Sequence, residues 1–267
     1  MSFRRSIMDI RYFGKTTMRI ALVLGVTGLM GVSALQATPI TGRLIINGTS
    51  LTGVDLNTVD FNYSGSGPTN PNSVGTFGVG FGSTLTFATL VGTDGGVKSF
   101  TRSAIPVGAP VNFDDFITFA AAPNIDIIMT ELVPGSFGSA QCGAPAAAGQ
   151  TCTPVIPGGS AIEFSNSSNG NGGLNAHAQF NVDVNAKNTA TGEISTGVGT
   201  FSADFSNTSY QALLATIGSG GVVTSGEHGD FTITFNQVPE PATTALVLGG
   251  FLLLLGKVGM RRFNRSR

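Results

Sequence analysis

The sequence predicts a mainly β fold, an antiparallel β-sandwich (jelly-roll-like) with one short helix, flanked by an N-terminal signal helix and a C-terminal transmembrane helix. Three observations lead there. Between residues 38 and 237 the chain is poor in Lys, Glu and Arg, which favour helices, and rich in Val, Phe, Thr and Ile, which suit a pleated, half-buried surface. Period-two alternation of apolar and polar residues recurs along that stretch, whereas a clear helical period occurs once. The two ends are basic and apolar in the manner of targeting segments.

The first element is a leader over residues 1–37. From Met18 the chain reads MRIALVLGVTGLMGVSALQATPITG: a charge at Arg19, an apolar run from Ile20 to Met30, then small residues at Ala34 and Ala37. Charge, apolar core and small-residue site, in that order, make a secretory signal, and the run is short for a membrane span. Cleavage after Ala37 fits best, with Ala34 as the alternative; Met18 is an alternative start to Met1.

The body, residues 38–237, reads as one extracytoplasmic β-rich domain. Strands are expected over Arg43 to Asn47, through Val59, Phe61 and Tyr63, through Phe77, Val79 and Phe81, and over Ser83 to Thr89. Further strands are expected over Val111 to Ala120, Ile125 to Glu131 and Ala161 to Phe164, then through Phe201, Ala203 and Phe205 and through Phe231, Ile233 and Phe235. The clearest alternation sets Ala176, Ala178, Phe180, Val182, Val184 and Ala186 on one face and Asn175, His177, Gln179, Asn181, Asp183 and Asn185 on the other. One face packs and the other meets water, the antiparallel pattern. Asn47-Gly48 and Asp94-Gly95 read as hairpin turns. Tyr210, Leu213, Leu214 and Ile217 fall at i, i+3, i+4 and i+7, so a short helix is expected there, capped by Ser206 or Thr208 and ended by Gly218, covering an edge or opening of the sheets. A barrel is the alternative to the sandwich.

Cys142 and Cys152 are the two cysteines of the chain and lie in a Gly-, Ala- and Pro-rich loop of an exported body, which reads as a disulfide. Outside the two basic ends the body holds only Arg43, Lys98, Arg102 and Lys187 against thirteen acidic residues, which excludes nucleic acid as a partner.

The last element covers residues 238–267. Val238-Pro239-Glu240-Pro241 is followed by an apolar run, a transmembrane helix of about 242–260, and a basic stop made of Lys257, Arg261, Arg262, Arg265 and Arg267. Lys257 can snorkel, and the arginines hold the tail on the cytoplasmic side, leaving the body outside. Two prolines keep Glu240 extended and remove backbone donors, which suits a segment that a processing enzyme must bind. This order of motif, helix and arginines resembles the PEP-CTERM sorting signal. The resemblance rests on about 30 residues of tail; segments such as Phe119 to Asn124 and the cysteine loop also look like those of other family members. It implies that Pro239, Glu240 and Pro241 are a sorting motif recognised by exosortase, a membrane transpeptidase-like enzyme that removes the tail during export. Its members occur in bacteria with two membranes that make extracellular polysaccharide.

Catalytic motifs are absent: no G-x-S-x-G, H-E-x-x-H, phosphate loop, dinucleotide fingerprint or EF-hand loop occurs. His177 and His228 read as surface residues, Asp114-Asp115 as a chance pairing rather than a hydrolase or calcium site, and Asn166 to Gly173 as a flexible loop. No catalytic, cofactor or metal residue is assigned. The expectation is an exported, exosortase-sorted cell-surface or extracellular-matrix protein, non-catalytic, structural or adhesive, with the secretion machinery, the inner membrane and extracellular polysaccharide as partners. A carbohydrate-binding module and a secreted glycoside hydrolase are the alternatives.

Overall fold

The computed structural model of the chain describes residues 39–225 and the backbone of residues 230–236. The fold is mainly β and antiparallel, with one short α-helix, as the sequence predicts. Among the described residues no helix is long and apolar enough to cross a membrane. The segment expected to be a signal, with its expected cleavage site at Ala37, and the tail from Val238 onward lie outside the described residues.

The strands are β1 (Gly42–Gly48), β2 (Thr52–Val54), β3 (Thr58–Asp60), β4 (Val74–Val79), β5 (Asp94–Lys98), β6 (Phe100–Thr101) and β7 (Pro110–Phe119). They continue as β8 (Ile125–Leu132), β9 (Thr151–Cys152), β10 (Glu163–Ser168), β11 (Leu174–Asn188), β12 (Ile194–Phe205), β13 (Val223–Ser225) and β14 (Asp230–Asn236). The helix α1 spans Tyr210–Gly218.

Strand pairing closes on itself. β1, β4, β5, β7, β8, β11, β12 and β14 are hydrogen-bonded in that order, and β14 returns to β1, with Gly42 opposite Phe235 and Asn47 opposite Asp230. Each of these strands neighbours its predecessor in the ring, so the order is up-and-down rather than the Greek-key order of a jelly roll. The mainly β, antiparallel architecture is consistent with the expected sandwich, and its ladder is continuous around the ring. Closure gives each of those strands a partner strand on both sides. β10 and β9 extend the sheet beyond the ring along the N-terminal half of β11. A separate four-stranded sheet, in the order β13-β2-β3-β6, lies off the ring end marked by Gly48 and Lys98.

Alternation fills the interior as expected. Val182, Val184 and Ala186 of β11 are buried with Leu44 and Ile46 of β1, Phe77 and Val79 of β4, and Ile127 and Met129 of β8. Phe180 is half-buried against them, its ring 5.0 Å from that of Phe201. From the small sheet, Val59 and Phe100 are buried against this core, as is Phe61, which follows β3. In β7 the alternation breaks: Phe113 faces Met129 but Ile117 faces Ile127, so Asp114, Asp115 and Phe116 bulge out of register. Asp115 sits at φ 53°, Phe116 turns into the core, and the two acids stay exposed. Bulges bend and re-aim strands in this way.

The structure corrects several local expectations. Ser83 to Thr89 is not a strand; Leu85–Leu90 forms a 3₁₀ helix that buries Phe87 and Leu90. The hydroxyls of Ser83, Thr84 and Thr86 accept from the N–H groups of Ile45, Arg43 and Thr41, so side chains replace part of the ladder along β1. Phe81 is 91 % exposed because β4 ends at Val79 and the chain turns through Gly82. Asn47-Gly48 pairs with Gly78 and Phe77 inside the sheet and makes no hairpin turn. Asp94-Gly95 is likewise in-strand; the turn precedes it at Gly92, with φ 81°. Gly95 is needed for close approach: a Cβ there would stand 2.5 Å from the Thr118 carbonyl oxygen and closer still to the Phe77 ring. Ser209, not Ser206 or Thr208, caps α1, accepting from the Ala212 N–H, and the helix keeps Gly218 and is capped by Ser219.

Candidate functional site

A concave, mainly apolar cavity of about 330 Å³ opens where the small sheet meets the segment 154–162 and α1. Val54, Val59, Phe100, Ile162, Phe164 and Phe180 form its walls, with Leu214 and Ile217 of α1. A smaller void of about 70 Å³ shares Val54, Val59, Ile162 and Phe180 with it. A third depression, about 510 Å³ between β12, α1 and β13, is more open and as polar as it is apolar.

Local sequence explains the walls. In the β2–β3 connection, Asp55 accepts from the N–H groups of Asn57 at 2.7 Å and Thr58 at 2.8 Å, an Asx turn, and Thr69 donates to its second oxygen at 2.5 Å. That turn leaves Leu56 exposed at the mouth. The opposite lip, Pro154 to Ile162, is bent by two prolines and by Gly158 and Gly159 at φ 85° and 86°, and it exposes Val155. Half-buried Arg102 crosses between the lips: Nη1 donates to the Leu56 carbonyl at 3.3 Å, and Nη2 to the carbonyls of Pro157 and, at 3.4 Å, Gly159.

Cys142 and Cys152 form the expected disulfide, and Cys142 lines the cavity. Behind it Phe164, Tyr210, Leu213 and Ile217 pack as a second core around the buried Cys152. The Tyr210 hydroxyl donates to the Gln141 carbonyl at 2.9 Å and so ties α1 to the cysteine loop; burial pushes that phenol above its usual pKa. Asn166 is buried rather than part of a flexible loop: its side chain accepts from the Tyr210 N–H and donates to Gln211. The hairpin tip beyond it is organised by Asn169, which accepts from Asn171 and Gly173.

The nearby carboxylates are structural. Buried Glu163 accepts from the Ser136 N–H at 2.5 Å, the Ser136 hydroxyl at 2.6 Å and Gln179 at 2.8 Å. Burial alone would raise its pKa, but these donors outweigh burial and hold the carboxyl below its usual range. Buried Asp60 accepts from Ser73, Asn70 and Asn62.

Other sequence-predicted residues are spread out. Exposed Asp114 and Asp115 lie on the β7 bulge beside Lys98, whose ammonium is 3.7 Å from Asp115 and donates to the Asp114 carbonyl at 2.8 Å. Asp126 is pushed up by burial, then by Asp115 and Asp114. His177 pairs with Asp204 at 2.7 Å on the outer face of β11 and β12; His228 lies outside the described residues. Pro239, Glu240, Pro241, Lys257, Arg261, Arg262, Arg265 and Arg267 also lie outside them. Among the described residues, no three His, Cys, Asp or Glu side chains group as a metal site. Arg102, Leu56 and Val155 carried no sequence signal of a site, although Arg102 is one of only four cations in the body.

No protein-family model, curated protein or solved structure matches the chain.

Proposed function

We propose that this chain is an exported, non-catalytic cell-surface or extracellular-matrix protein, delivered by a PEP-CTERM-type tail through exosortase and associated with extracellular polysaccharide. The observation that carries the reading is the Cys142–Cys152 bond, because structural disulfides persist in oxidising compartments outside the cytosol. Strand register adds support. Gly42 pairs with Phe235, so the chain enters and leaves the ring at one end, while the small sheet with its cavity belongs to the other. A tail in the membrane, spanning about 242–260, would then present the cavity end outward.

The alternatives draw less support from the geometry. A carbohydrate-binding platform uses aligned exposed aromatics, whereas the outer face of β11 carries His177, Gln179, Asn181, Asp183 and Asn185. A glycoside hydrolase needs two carboxylates about 5–10 Å apart in a cleft; the carboxylate at this cavity, Asp55, is occupied by its Asx turn and Thr69. The test is replacement of Pro239, Glu240 and Pro241 by alanine in the native host. Full-length chain should then accumulate in the inner-membrane fraction. Unchanged delivery to the surface or medium would remove the sorting proposal.

A further inference from the structure

We infer that the cavity between the small sheet, the 154–162 lip and α1 is a binding site for an amphipathic carboxylate, its apolar tail enclosed and its head at Arg102. The inference does not depend on how the chain is sorted. Three observations carry it.

The first is size and lining. Ligand pockets start near 300 Å³ and are mostly apolar with a few placed polar groups; this one holds about 330 Å³ and is walled by Val, Ile, Leu and Phe side chains. An apolar cavity of about 150 Å³ takes benzene, so a tail of about ten to twelve carbons fills this one. A sugar would leave its hydroxyls facing Phe100, Phe164 and Phe180 without partners.

The second is charge. Arg102 is one of four cations in a body with thirteen acids, and it lines this cavity together with one carboxylate, Asp55, whose oxygens are taken up by the N–H groups of Asn57 and Thr58 and by the Thr69 hydroxyl. A guanidinium has five N–H donors. The bonds from Arg102 to carbonyl oxygens use Nη1 once and Nη2 twice, which leaves Nε–H and one Nη1 proton without a partner among the described residues. Arginine in that state selects a carboxylate over a neutral head.

The third is the mouth itself. Leu56 and Val155, 43 % and 84 % exposed, face the entry from the two lips that Arg102 joins. Exposed apolar side chains flanking a cavity offer cover for the part of a tail nearest its head. Arg102 thus both fixes the width of the mouth and marks where the charge sits.

The test is equilibrium dialysis of radiolabelled decanoate and decanol against the full chain held in amphipol without detergent, with amphipol alone as the blank. Decanoate should bind saturably, one per chain. Val155→Asp adds a negative charge at an exposed position, so folding is kept, and it should lower the decanoate-to-decanol affinity ratio at least tenfold. Arg102→Gln should do the same and Arg102→Lys should restore most of it. Decanoate uptake equal to the blank would overturn the site. A ratio unchanged in Val155→Asp and Arg102→Gln would overturn the carboxylate assignment.

Discussion

Phe180 and Phe201 occupy directly paired positions of β11 and β12 and stack with ring centroids 5.0 Å apart and planes 17° apart. Phe201 also meets Phe61 at 5.1 Å and Phe116 at 5.7 Å. One cross-strand pair therefore joins the ring, the β7 bulge and the segment that leads out of the small sheet. Such pairs stabilise beyond the area they bury.

Phe201→Ala should accordingly cost about 3–5 kcal/mol, as for other fully buried aromatics. Phe180→Ala should cost less, because that ring is only half-buried. Urea unfolding measures both. Equal, small losses would mean that the cluster does not hold the small sheet to the ring.

Much of this core was legible in advance. The alternation from Ala176 to Ala186 placed the β11 face correctly, because one buried face imposes a strict two-residue period. The i, i+3, i+4, i+7 spacing placed α1, and its buried residues are Tyr210, Leu213 and Ile217. The cysteines announced their bond. The failures were of another kind. Phe81 continues the alternation of Phe77 and Val79, yet the strand ends before it, since local pattern does not encode where neighbouring strands stop. Gly95 carries turn chemistry but serves packing, which depends on Phe77 and Thr118 from distant chain. The cavity was invisible for the same reason: its lips come from residues about one hundred positions apart, joined by Arg102 between them.

Gly95→Ala tests that reading of the glycine. Overpacking against the Thr118 carbonyl and the Phe77 ring should destabilise by about 1–3 kcal/mol. Adding Phe77→Leu should recover only part of the loss, because the carbonyl remains. A neutral Gly95→Ala in thermal melts would refute the close approach.

Breaking the disulfide should remove roughly 2–3 kcal/mol, the loop-entropy value for so short a loop. Cys142→Ser with Cys152→Ser and reductant on the native chain should lower the melting temperature by the same amount. Reductant should not shift the double variant further. A native chain indifferent to reductant would count against a formed bond.

Acid should act through Glu163. Its folded-state pKa is depressed, so its contribution is present above the ordinary value of 4.5 and is lost as pH falls through the lower folded value. Glu163→Gln should flatten the stability–pH curve in that window while leaving its shape near neutrality intact. An unchanged acid limb in denaturant titrations at pH 3–5 would contradict the Ser136–Gln179 cradle.

Intact mass of the protein fractionated from its own host is the decisive check on export with processing at both ends of a disulfide-bonded β body. Export with both processing events yields a species in the envelope or medium that begins at Thr38, ends near Pro239 to Pro241 and carries no free thiol. An inner-membrane species that retains Arg267, with Cys142 and Cys152 reduced, would contradict it.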